Sequence, residues 1–188
     1  MKKILLLSAV FAGSVGLYSF MPSTKNVVAN EYKVNTEKSK IDWIGSKKSG
    51  YHPGSFMLKE GSVQVEGNQI TGGQFVIDMS GLKVLDAAGP KLEGHLKNAD
   101  FFEVEKFPTA SFTINSVNYT TETDIEIEGV LTLKGVEVPL KFPGVIRGVS
   151  EKALFAQAFF TLDSRLLPIT DKYSNADVPL SIHLFANM

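Results

Sequence analysis

The reactive side chains of this sequence are few and scattered. It has three histidines, His52, His95 and His183, and no cysteine. No two histidines have the His-x-x-x-His spacing that sets two imidazoles on one helix face for a metal. Thiol nucleophiles and disulfides are excluded. Asp42, Asp78, Asp100 and Asp163 are spread along the chain, and the sequence alone brings no two of them to the separation that paired-carboxylate hydrolysis requires. A Gly-x-Ser-x-Gly elbow, a phosphate loop and a Rossmann glycine pattern are all missing. The reading is of a protein that is not an enzyme, with no metal and no cofactor, whose acids cap turns or face solvent. His95 falls on an apolar helix face, where a satisfied buried hydrogen bond is the first expectation and a ligand contact the second. His52, in a Gly/Pro turn, is placed at a rim. His183 alternates with Ile182 and Leu184 and should face away from them.

What the chain has in quantity is aromatic surface, including 13 Phe and a single Trp. The segment "HLKNADFFEVEKFPTASF", His95 to Phe112, packs Phe101, Phe102, Phe107 and Phe112 around Pro108. It begins like a helix and ends like a strand. Phe101 and Phe102 are adjacent, so in an extended chain one would close a cavity end and the other would staple the helix. Pro108 biases Phe107 toward an extended conformation ahead of the next strand.

The elements that must position these residues are mostly strands. Period-two alternation runs through residues 40–44, 62–66, 69–78, 110–117, 124–133, 136–142, 153–162 and 178–185. The clearest case is "DIEIEGVLTL", with Ile125, Ile127, Leu131 and Leu133 on one face and Glu126, Glu128 and Thr132 on the other. "EGNQ", Lys134-Gly135 and Pro143-Gly144 read as turns. Pro90 suits a first helical position. Leu92, His95, Leu96 and Ala99 share one face, so a short helix is expected over 90–98. About eight strands and one capping helix, without βα alternation, point to an all-β antiparallel barrel, or a sandwich. Closure into a barrel would remove exposed strand edges.

The 188 residues suit one domain, expected over 30–188 after a leader at 1–29. Lys2 and Lys3 precede the apolar or small run from Ile4 to Met21, and Val27 and Ala29 suit a signal-peptidase site, with cleavage after Ala29. An uncleaved membrane anchor is the alternative. No acid precedes Glu31, and the remainder carries 16 basic against 20 acidic residues. No basic stripe exists to neutralise phosphates, so nucleic acid is not an expected partner.

"GHLKNADFFEVEKFPTASF" resembles the signature of the YceI-like family, a His-Leu pair leading through Ala-Asp-Phe to Lys-aromatic-Pro and a Ser-Phe strand. "GVLTLKGVEVPLKF" resembles that family's strand pair, and "SGYHPGSF" resembles its early glycine turn. The order matches over residues 31–185. The resemblance implies an extended lipocalin-like β-barrel, exported to the periplasm or secreted, that holds a polyisoprenoid, an isoprenoid quinone or a fatty-acid derivative for transport, storage or sequestration. The chain departs from the family pattern at "LDSRLLPI". Ser164 stands where the family commonly has Arg, and Arg165 follows one place later. A one-residue shift on a strand turns a side chain to the opposite face.

The residues expected to line the cavity are Trp43, His52 and Phe56; Phe75 and Ile77; His95, Phe101 and Phe102; Phe112 and Ile114; Ile125, Ile127 and Leu131; and Phe142 and Phe159. Phe155 shares the parity of Phe159. Pattern alone favours a filled interior, and the resemblance favours a hollow one. The rival reading is therefore an envelope interaction module with a filled barrel, binding a protein through its rim or outer face. Transient membrane contact and a homodimer are compatible with either.

Overall fold

The computed structural model describes residues 29–170 and 175–188. The expected leader lies, but for Ala29, outside them. Nine strands form one antiparallel sheet: β1 (Asn30–Val34), β2 (Lys40–Lys47), β3 (Gly50–Glu66), β4 (Gln69–Val84), β5 (Thr109–Tyr119), β6 (Asp124–Leu133), β7 (Val136–Val149), β8 (Ala153–Asp163) and β9 (Asp177–Asn187). One helix, α1 (Gly89–Lys97), lies between β4 and β5. The sheet closes into a barrel. β1 and β2 lie end to end, each pairing with a different part of β3 and of β9, so they act as one interrupted strand and the wall has eight staves. β3 has 17 residues and β4 has 16, so the longest staves reach about 55 Å. The sequence expectation of an elongated antiparallel barrel with one helix is met.

Two stretches read as turns are strand instead. From Gly50 onward "SGYHPGSF" is the first part of β3, with Ile44 opposite Pro53 and Trp43 opposite Gly54. Pro143-Gly144 lies inside β7, opposite Glu126 and Ile125. Proline is tolerated in a sheet only where its missing N–H is not needed. The β7–β8 ladder supplies such a place, because it runs only between Val145–Val149 and Leu154–Gln157, leaving Pro139 and Pro143 outside it. The Lys134-Gly135 turn is as expected: both residues have positive φ, 51° and 76°, which suits a tight hairpin.

The two barrel ends differ. At the end of the β3–β4, β5–β6 and β7–β8 hairpins, the core packs around Tyr32, Val63, Val65, Ile70 and Leu154. Two tyrosines tie that end shut. The Tyr32 hydroxyl donates to Ser150 O at 2.8 Å, and the Tyr119 hydroxyl accepts the Ile70 N–H. Burial pushes the Tyr119 phenol above its ordinary value, so it stays protonated. The opposite end carries α1, the β2–β3 hairpin and the β8–β9 connection. Here Leu96 of α1 is buried with Trp43, Leu82 and Val84.

Trp43 sets a strict steric limit on its neighbour. A Cβ added at Gly54 would lie 2.0 Å from Trp43 Cζ2 and 2.5 Å from Lys83 O, whereas one at Gly148 would meet nothing within 4 Å. Gly54→Ala is therefore expected to lose about 1–3 kcal/mol and to shift the indole. Gly148→Ala should stay within about 0.5 kcal/mol of the parent. Paired thermal melts, with near-ultraviolet circular dichroism for the single Trp, check both. Equal melting temperatures would contradict the packing described.

Candidate functional site

The strands enclose an apolar cavity of about 550 Å³, within the usual range for small-molecule sites. Its wall follows the inward parity of the staves. β4 supplies Phe75 and Ile77, β5 supplies Phe112 and Ile114, and β6 supplies Ile125, Ile127 and Leu131. Phe142 enters from β7, while Trp43 and Phe56 enter from β2 and β3 near the helix end. His52 and His95 lie at that same end. Ile77, Phe112, Ile114, Ile127 and Phe160 face inward in a closed barrel yet remain only half-buried. Their open surface is turned to the cavity, so the interior is hollow rather than filled.

The opening aromatic segment forms the roof. Trp43 contacts Phe56 (6.2 Å between ring centroids), Phe56 meets Phe102 edge-on (5.9 Å), Phe102 meets Phe101 edge-on (4.8 Å) and Phe101 sits beside His95 (6.1 Å). Such tilted contacts suit ring quadrupoles. Phe101 and Phe102 both line the cavity, each as expected, but without the divergence that an extended chain would impose. The chain there is a turn and not extended, with Phe101 N–H donating to Asn98 O and Phe102 N–H to Leu96 O. Lys134, from the β6–β7 turn, donates from Nζ to Phe101 O at 2.9 Å and holds the turn in place.

Two other expectations are corrected. Phe159 is 52% exposed and lies outside the cavity. The inward residues of β8 are Leu154, Ala156, Ala158, Phe160 and Leu162, so Phe155 and Phe159 face out. The small alanines take the inner positions, and "AFFTL" conceals the parity by setting Phe159 beside Phe160. His95 is exposed at the cavity mouth rather than buried in a hydrogen bond. α1 stops at Lys97, so Ala99 never joins the helix face, and Leu96 alone of the expected four is buried.

Phe160 is the principal lining residue that the sequence reading missed. Its ring stacks on Phe142 with centroids 4.4 Å apart and planes at 7°. This stack covers the wall where the β7–β8 ladder is missing. β9 also contributes Leu180, Ile182 and Leu184, whose alternation was visible in the sequence. His183 faces away, as expected, with Gln157 Nε2 3.0 Å from its Nδ1.

Apart from Gln157 in mid-β8, the polar residues of the wall gather at the helix end: Ser46, Lys47, His52, His95, Ser164 and Asn175. Asn175 Nδ2 donates to Ser46 Oγ at 3.1 Å and ties the β8–β9 connection to β2. His52 Nδ1 lies 2.8 Å from Asp86 Oδ2. The His52 hydrogen bond holds the Asp86 carboxyl below its ordinary value. Arg165 is not part of this group. Its guanidinium forks onto Asp163, at 2.8 Å from Nε to Oδ1 and 2.7 Å from Nη2 to Oδ2, on the outer surface. Ser164, in the position where the family commonly has Arg, is the residue that faces the cavity. Among the described residues no three acidic or histidine side chains are grouped to hold a metal ion.

A family model for the YceI-like domain matches residues 32–186 of this chain. The chain belongs to the YceI-like family. A UPF0312 protein of Pseudomonas putida strain W619 is 26% identical over 146 residues, covering 76% of this chain and 75% of that one. Protein YceI of Salmonella arizonae is 28% identical over 138 residues, covering 70% of each. Among solved structures, BcnA of Burkholderia cenocepacia superposes with a TM-score of 0.71 at 17% identity, over 81% of this chain and 99% of that one. A polyisoprenoid binding domain from Saccharophagus degradans superposes with a TM-score of 0.63 at 15% identity, over 83% of this chain and 97% of that one. At these identities the two structures establish the shared barrel fold.

Proposed function

We propose that this YceI-like protein is an exported carrier that holds one long-chain amphiphile, a polyisoprenoid, an isoprenoid quinone or a fatty-acid derivative, inside the barrel for transport, storage or sequestration. The observation that carries this reading is the set of inward apolar residues left half-open around a cavity of about 550 Å³. Each CH₂ moved from water into such a cavity gains about 0.8 kcal/mol, so binding needs no reactive group. The polyisoprenoid binding described for the Saccharophagus degradans neighbour agrees with this class of ligand. Residues 30–188 act as one binding domain, without catalysis and without a cofactor other than the lipid.

Trp43 is the only Trp and lies in the cavity wall, so its fluorescence reports on occupancy. Titrating delipidated protein with a long-chain amphiphile should change that emission saturably, with one molecule bound per chain. An unchanged emission together with no uptake in an equilibrium partition assay would contradict the carrier reading.

Export follows from the Lys2-Lys3 start, the apolar run and the Val27-x-Ala29 site. Among the described residues no helix is long and apolar enough to cross a membrane. The mature chain is expected to begin at Asn30, which intact-mass analysis of protein from its native host checks. Recovery of the uncut chain in the membrane fraction would instead support an anchor.

The rival reading, a protein partner on the outer face, has one specific observation behind it. Phe155 and Phe185 stack at 4.3 Å on the outer side of β8 and β9, the face that also exposes Phe159. It does not account for the hollow interior, which is why the carrier reading is preferred.

A further inference from the structure

Among the described residues, the ionisable groups of the cavity wall all lie at the helix end and are all basic, and Gln157 in mid-β8 is the one polar side chain of the wall away from that end. Lys47 comes from the last residue of β2, His52 from β3 and His95 from α1. Among the described residues no Asp or Glu is in the wall. Three acids of the neighbouring segments are already engaged. Asp86 accepts from His52 and from Ala88 N–H, Glu93 accepts from Val84 N–H, and Glu103 pairs with Lys134 and Lys106. Because Nδ1 of His52 is bonded to Asp86, only Nε2 of that ring remains for a ligand, and a charged imidazole would present an N–H there. Ser46, Ser164 and Asn175 add neutral hydrogen-bonding groups around the same mouth.

We infer that the ligand is an amphiphile with an anionic oxygen head, a carboxylate or a phosphate, seated at the helix end between His52, His95 and Lys47 with its chain running into the barrel. This rests on the carrier reading and specifies its ligand. A neutral head such as a quinone or an alcohol would offer Lys47 no counter-charge. An oxyanion accepts a charge-assisted hydrogen bond from Lys47 Nζ, shorter and stronger than a neutral one, together with hydrogen bonds from imidazole N–H groups turned toward it. The helix supplies His95 from its last turn, so the attraction comes from side chains and not from the helix N-terminus.

The test compares three probes of one chain length on delipidated protein: hexadecanoate, hexadecyl phosphate and hexadecanol. Binding is measured by calorimetry below the concentrations at which the probes aggregate. At least one anionic probe is expected to bind on the order of tenfold more tightly than the alcohol, and whichever of the two is stronger identifies the head. In a His52→Gln, His95→Gln, Lys47→Met variant, verified as folded by circular dichroism, the ratio of anionic-probe to hexadecanol affinity should fall below about threefold. Equal binding of all three probes by the parent protein would overturn the anionic head and leave the carrier intact. An anion preference that survives in the variant would overturn the assignment to these residues. Failure of all three to bind would overturn the carrier reading as well.

Discussion

Ile127→Trp should leave the barrel folded but unable to take up lipid. Ile127 sits on the inner face of β6, opposite Val117 and Phe142 in register, with Glu126 and Glu128 on the outer face held by Lys141. It is half-buried because part of its surface faces the cavity. An indole there extends into space that an alkyl chain would occupy. Eight buried CH₂ groups contribute roughly 6 kcal/mol before the cost of association. Displacing even half of them would weaken binding on the order of a hundredfold. The fold itself should tolerate the change, since the ring enters an opening rather than a packed core. In a filled barrel the same substitution would overpack and cost about 1–3 kcal/mol of stability, with no ligand to lose. Lipid content by mass spectrometry and melting temperature, measured on the same sample, separate these outcomes. A folded variant with a full lipid load would show that this face does not line the site.

Leu96→Asp is expected to unfold the helix end, and Lys97→Asp is not. Leu96 is 8% exposed and packs with Trp43, Leu82 and Val84. Replacing it removes an apolar contact and places an unpaired carboxylate in that cluster, at a combined cost on the order of 4 kcal/mol or more. That is a large share of a domain's whole stability. Lys97 is next along the helix, about 100° round, and half-buried. Changing it to Asp puts a negative charge near the helix C-terminus, for a loss of about 0.3–1 kcal/mol. At about 2–4 °C per kcal/mol for a domain of this size, the melting temperatures should lie roughly 10 °C apart. Equal melting temperatures would mean that α1 is not docked through Leu96.

The barrel was legible in the sequence wherever one face of a strand is wet and the other dry. "DIEIEGVLTL" gives the parity of β6 outright, and the structure keeps it. Parity failed on β8, where Ala156 and Ala158 take inner positions that a pattern reader assigns to Phe. It also failed across residues 50–57, because His52-Pro53-Gly54 has turn composition. There the Gly is required by the Trp43 ring lying against it, and its backbone remains in the sheet. The mouth was less legible still. His52 and His95 could each be proposed for it singly. Their shared end, the Asp86 anchor and the clamp from Lys134 to the Phe101 turn depend on contacts between segments 30 or more residues apart, which no local pattern encodes.

The central claim is that the barrel is hollow because it carries a lipid. Native mass spectrometry of the protein gently isolated from its own envelope tests it most directly. The account predicts a mature chain beginning at Asn30 with one additional hydrophobic molecule bound, released on activation and extractable into organic solvent. A homogeneous mass of the bare polypeptide from the same mild isolation would contradict it.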